Sequence, residues 1–218
     1  MSGLPAVTQR DPMKVGDENA QTHSTAFYYD LGSPYAYLAA ERISRLFSEA
    51  ELSQPEWRPI LLGALFKWFG RSSWMLSPDR DARMQEVELR ARDYGLQPFR
   101  WPDPGPANTL YAMRVATYAK SIGRSVSFAL AAFRQAFAAG RDLTEPDNVA
   151  IAAAACELHP NAIAKGVASE SVRLRLRQET EGAAEAGVRG VPSVLVGERV
   201  FWGDDQLEKA VAAAVAER

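Results

Sequence analysis

The chain has 218 residues, 47% of them hydrophobic, enough to bury one substantial core with room for an inserted subdomain. Its 25 basic and 27 acidic residues leave a net charge of −2, so no long-range field draws it to nucleic acid or to an anionic membrane. No stretch reaches the roughly 20 apolar residues that span a bilayer.

Residues 1–24 are polar and irregular, with Pro5, Pro12, Gly16 and scattered charges. That composition predicts a disordered tail and, without the apolar core of a signal peptide, no export. The run Ala26-Phe27-Tyr28-Tyr29 then opens a first strand over 26–30. It passes through Asp30-Leu31-Gly32 into Ser33-Pro34-Tyr35-Ala36, where a helix over 34–50 begins with proline in its first turn. Glu56-Trp57-Arg58-Pro59-Ile60 alternates and reads as a second strand, at a sheet edge because of its proline.

A long helical block follows. The charge-rich segment 79–94 reads as a helix ending at Gly95, and the stretch Pro98 to Pro106 breaks the pattern. Helices are expected over 108–122, 125–139, 145–157, 159–166 and 169–186, divided by Gly123, Gly140 and Pro160. Strands return at 191–196 and 199–202, joined by Gly197-Glu198 as a type II′ turn requires. A last helix starts after Gly203 and runs to the end. The order βαβ, helices, ββα reads as an α/β fold, a thioredoxin-like sheet split by a helical insertion.

Folds of that kind place a dithiol at the start of the first helix and a cis-proline opposite it. Here the first position reads Ser33-Pro34-Tyr35-Ala36, which excludes dithiol exchange through that site. A serine before a helix either caps it or offers its hydroxyl, with the helix terminus, to a negative charge. The one cysteine, Cys156, lies in an alanine-rich run and reads as a packed, inert thiol. One cysteine and two separate histidines form no metal-ligand cluster, so no metal is expected, and a reduced, cytoplasmic setting fits best.

Four segments in order resemble the 2-hydroxychromene-2-carboxylate isomerase family, bacterial relatives of the kappa-class glutathione transferases. They are YDLGSPYAYL from Tyr29, RPILLGALFK from Arg58, FRWPDPGPANTLYAMR from Phe99 and GVRGVPSVLVGERVFWGDDQL from Gly187. The resemblance implies a DsbA-like fold, with a thioredoxin-like domain over 25–66 and 187–218 and a helical subdomain over 67–186. It implies an isomerase of aromatic-degradation intermediates that uses glutathione, or another low-molecular-weight thiol. Ser33 would hydrogen-bond the ligand's sulfur and favour its thiolate. Val191, before a cis Pro192, would pair with the cysteinyl main chain. Of Asp204 and Asp205, one would cap the last helix and the other take the γ-glutamyl ammonium. Lys67 either reaches a ligand carboxylate or is a solvated surface lysine. On the side of a small aromatic or electrophilic substrate stand Tyr35 and Trp202, with Trp68, Trp74 and Trp101 as further apolar walls, while Asn108 either faces substrate or caps a helix. Relatives of this kind pair as homodimers.

The chain departs from the family pattern at Arg189, at Arg71 and at Arg80, Arg83 and Arg90. Arginines facing the ligand would suit an anionic substrate or a different thiol; arginines in solvent would mean nothing of the kind. Two alternatives stand beside the isomerase: a kappa-like glutathione transferase, and a non-catalytic thioredoxin-like module that binds a thiol. A disulfide oxidoreductase is more distant, because Cys156 stands alone.

Overall fold

The computed structural model describes residues 25–103 and 108–218. The tail expected over 1–24, and residues 104–107 within the Phe99–Arg114 motif, lie outside them. Four strands form one sheet: β1 (Ala26–Tyr29), β2 (Glu56–Pro59), β3 (Ser193–Val196) and β4 (Arg199–Trp202). Their order is β2-β1-β3-β4, with β2 parallel to β1 and the other pairs antiparallel. The edge position predicted for β2 is observed, and Pro59 pairs with Tyr29 on the inner side. Gly197 takes φ +56 while Glu198 stays at negative φ, as a type II′ turn between β3 and β4 demands.

Nine helices of the described residues surround this sheet: α1 (Pro34–Glu49), α2 (Leu62–Trp68), α3 (Arg80–Asp93), α4 (Leu110–Ser121), α5 (Ser125–Phe137), α6 (Pro146–Ala154), α7 (Pro160–Ala168), α8 (Glu170–Glu185) and α9 (Leu207–Ala216). Each predicted helix is present, within a few residues at its ends. Among the described residues no helix is long and apolar enough to cross a membrane.

The structure sets α2 across the boundary expected between residues 66 and 67. Leu65 of this helix is buried in the core shared by both segments. The core is continuous: Tyr29 of β1 packs on Phe133 of α5 at 5.9 Å, and Leu61 N–H donates to Thr180 Oγ1 of α8 at 3.0 Å. The inserted helices therefore complete the hydrophobic core of the sheet. Two helices bury little, α2 only Leu65. Of α3's fourteen residues only Val87 and Ala91 are buried.

Candidate active site

The turn after β1 is built around Asp30, a buried carboxylate. Oδ1 accepts from Gly32 N–H at 2.9 Å and Thr109 Oγ1 at 2.8 Å, and Oδ2 accepts from Leu62 N–H at 2.8 Å. One side chain thus ties the start of α1 to the starts of α2 and α4. Burial raises its pKa, opposed by those three donors. Glycine is needed at Gly32 for close approach, because a Cβ there would lie 2.9 Å from Thr109 Cγ2.

Ser33 follows, and only 4% of it is exposed. It caps α1: Oγ accepts from Ala36 N–H at 3.2 Å, and its carbonyl accepts from Tyr37 N–H at 3.1 Å. The same hydroxyl donates to Val191 C=O across 158 residues of chain, at a long 3.4 Å. The Val191–Pro192 bond is cis, and Gly203 N–H donates to Pro192 C=O at 3.0 Å. Ser33 therefore meets the predicted cis-proline. Among the described residues neither Val191 N–H nor Tyr35 N–H has a hydrogen-bond partner.

These groups open on a cleft of about 560 Å³, lined by Tyr35, Phe66, Trp74, Val191, Pro192 and Trp202. Sites for small ligands run from about 300 to 1,000 Å³. A wider groove of about 1,080 Å³ lies by Phe47, Glu198 and Ala214 at the β3–β4 turn, apart from Ser33 and Pro192, and its rim pair Arg199–Glu217 is closed at 3.1 Å. The chemistry-bearing residues converge on the smaller cleft.

Tyr35 is half-buried, its ring edge-on to Trp74 at 5.9 Å and its hydroxyl donating to Glu86 at 3.4 Å. Burial, followed by the charge of Glu86, holds the phenol above its usual pKa, so it remains protonated at neutral pH. Trp202, 45% exposed, lies flat on Gly190, where a Cβ would come within 2.8 Å of the indole.

Several expected residues stand elsewhere. Lys67 is exposed in the last turn of α2 and lines no part of the cleft. Arg71 does line it: its guanidinium lies 4.7 Å over the Trp202 ring and Nη1 donates to Arg189 C=O at 2.9 Å. α2 holds Lys67 on its exposed side and ends at Trp68, and the following bend carries Arg71 to the cleft. Asn108 is exposed as well, accepting from Leu110 N–H at 3.2 Å at the entry to α4. Trp68 is out in solvent, and Trp101 donates to Glu88 at 2.7 Å outside the cleft.

The two aspartates also depart from expectation. Neither caps α9 through its side chain; Gln206 occupies that position after a 3-10 turn over Asp204–Gln206. Asp204 is 1% exposed, and its carboxylate accepts from Arg90 Nη1 at 2.9 Å and Tyr94 Oη at 3.0 Å. It is engaged within the protein. Burial raises its pKa and Arg90 opposes the rise. Asp205 is exposed at the cleft margin. Arg83 also faces the cleft, whereas Arg90 is held by Asp204 and Glu86. Sequence reasoning missed Glu86 and Tyr94; the i, i+4 spacing of Glu86 and Arg90 was the available signal.

A family model for the DSBA-like thioredoxin domain matches residues 25–214. The chain belongs to that family. Within it, the chain is similar to 2-hydroxychromene-2-carboxylate isomerase of Sphingobium xenophagum, 25% identical over 190 residues that cover 86% of this chain and 95% of the relative. A solved 2-hydroxychromene-2-carboxylate isomerase superposes with TM-score 0.78 at 22% identity, covering 87% of this chain and 93% of the other. A probable DsbA oxidoreductase of Streptomyces coelicolor superposes with TM-score 0.71 at 19% identity, covering 89% and 91%. In this DSBA-like chain the helix-start position holds Ser33, and the one cysteine, Cys156, is buried just past α6 and lines no part of the cleft.

Proposed function

We propose that this protein is an isomerase of the 2-hydroxychromene-2-carboxylate type that works with a bound small thiol, glutathione in the first instance. One observation carries the reading. A buried serine at a helix N-terminus meets the cis Val191–Pro192 bond at the wall of a cleft, in a chain whose single cysteine lies elsewhere. The reactive sulfur must then come with a ligand.

The cleft suits such a group. Val191 N–H is an unpaired donor beside the proline, placed to pair with an extended peptide. Asp205 offers a carboxylate to an ammonium, and Arg71 and Arg83 offer cations to carboxylates. When bound, the thiol would supply a reversible nucleophile that lets a conjugated double bond rotate, and it would be regenerated.

The protein's own residues do the rest. Ser33 has a single hydroxyl proton, spent on a 3.4 Å bond to Val191 C=O, so little is lost when it turns toward a negative sulfur. The first turn of α1 adds Tyr35 N–H and the helix dipole. Each unit of thiol pKa depression needs about 1.4 kcal/mol. From a reference value near 8.5, one or two units suffice at neutral pH. Ser33 acts here as a donor. Among the described residues no histidine lines the cleft to activate it as a nucleophile, and His159 caps α7. Trp74 and Trp202 present faces to an aromatic substrate, and the protonated Tyr35 can donate to an oxygen on it.

Calorimetric titration with glutathione, comparing wild type with Ser33→Ala, tests the reading together with turnover of a 2-hydroxychromene-2-carboxylate. Wild-type binding and glutathione-dependent turnover that falls in the variant are expected. No binding and no turnover with any chromene or benzylidene-pyruvate substrate would overturn it. Arg71 and Arg83 at the cleft equally suit an anionic electrophile in a kappa-like transferase, and a product heavier by one glutathione would favour that reaction. A homodimer in a cytoplasmic setting belongs to the same proposal, and sedimentation tests the dimer.

A further inference from the structure

The corner that carries Asp205 is fixed by an ionic device that reaches it from behind. Asp204 has both carboxylate oxygens engaged, Oδ1 by Arg90 of α3 and Oδ2 by Tyr94 just after it. Its main-chain carbonyl accepts from Arg42 Nη1 of α1 at 3.1 Å. The Arg42 guanidinium in turn lies 3.7 Å over the Tyr94 ring and pairs with Glu208 of α9. Three helices thus converge on one residue.

The corner itself is shaped by Gly203, at φ +123, a region that side-chain-bearing residues rarely enter. A Cβ there would overlap the Asp205 carboxylate, so the glycine leaves the room in which that carboxylate is folded against the turn. Gln206 Nε2 donates to Asp205 Oδ2 at 3.1 Å and steadies it. Arg90 compensates the charge of Asp204, while Asp205 has no cationic partner among the described residues. Of two adjacent acids, one is consumed as an anchor and one is presented to the cleft.

We propose that Arg90 and Asp204 are positioning residues: their buried pair locks the Gly203–Asp205 corner onto α3 and so aims the Asp205 carboxylate at the ammonium group of the thiol ligand. Asp204 itself does not touch the ligand. The inference rests on the glutathione reading above for its ligand, though the locking of the corner does not.

The test uses two ligands and two variants of the full chain. The ligands are glutathione and glutaryl-cysteinylglycine, which lacks only the glutamyl ammonium. Arg90→Gln should weaken glutathione about tenfold, equivalent to about 1.4 kcal/mol. Tyr94→Phe, which removes one hydrogen bond and preserves the ring, should produce a smaller loss of the same kind. Neither should weaken glutaryl-cysteinylglycine comparably, and adding Arg90→Gln to Asp205→Asn should cost nothing more. Equal loss for both ligands, or additive losses in the double variant, would overturn the proposal by showing general disruption. Hydrogen exchange in the ligand-free protein provides the independent arm. Amides of residues 203–206 should exchange faster in Arg90→Gln, and unchanged exchange would overturn the lock even if wild type bound no glutathione. Absence of wild-type binding alone would instead count against the functional reading.

Discussion

The two walls of the cleft are held by different physics. The wall made by β1, its turn, α1 and the start of β3 rests on packing: Phe27, Tyr29, Leu31 and Tyr37 are fully buried behind it, and Ser33 is fixed by main-chain bonds. The wall made by α3 buries only Val87 and Ala91 and is held by charged and polar contacts, Arg90 to Asp204, Tyr35 to Glu86 and Trp101 to Glu88. Packing places the group that would act on sulfur, and it resists salt and single surface changes. Ion pairs place the groups that would read a ligand's charged ends, and one substitution can rearrange them. A scaffold divided in this way can preserve its chemistry while its ligand changes.

Breaking the first wall should have the largest effect. Phe27→Ala should destabilise the fold by about 3–5 kcal/mol in urea titration. Val87→Ala on α3 removes two methyl-sized groups at about 0.8 kcal/mol each, plus a small cavity term, and should cost about 2 kcal/mol. If the two losses are equal, the contrast between the walls fails. Ser33→Ala should lower thiol-dependent turnover about 100-fold, or about 2.7 kcal/mol of barrier. Its effect on stability should stay near the ~1 kcal/mol of a lost cap. Molar salt should speed hydrogen exchange in α3 and leave β1 unchanged, because partly exposed pairs are screened and apolar packing is not.

The smallest effect concerns pH. Burial raises the pKa of Asp30, so the folded protein holds that proton more tightly than the unfolded chain. Its contribution to stability is greatest in acid and is lost as pH rises from the ordinary carboxylate range through the folded pKa. The stability of wild type relative to Asp30→Asn should therefore decline over that range, measured by urea midpoints. A relative gain with rising pH would show that the three donors to Asp30 outweigh its burial.

The same division explains what was legible in the sequence. Strands, helix limits, the edge position of β2 and the meeting of Ser33 with a cis Pro192 follow from apolar period, turn residues and motif order, all of which are local or carried by resemblance. The roles of Asp204 and Lys67 were not legible. An aspartate before a helix reads as a cap until a distant Arg90 and Tyr94 are known to claim it. Lys67 and Arg71 lie four residues apart, and only the end of α2 at Trp68 decides which one faces the cleft. Where the insertion begins is a related matter: Leu65 of α2 is buried in the core common to both segments.

The burial of Cys156 has a practical consequence. The chain presents no other thiol, and this one is enclosed beside the alanine-rich α6. A cysteine introduced at Arg83 or Ser72, both on the cleft wall, would be the one accessible attachment point for a fluorophore or spin label. The protein thus comes prepared as a background for distance measurements across its own cleft, with no native cysteine to remove first.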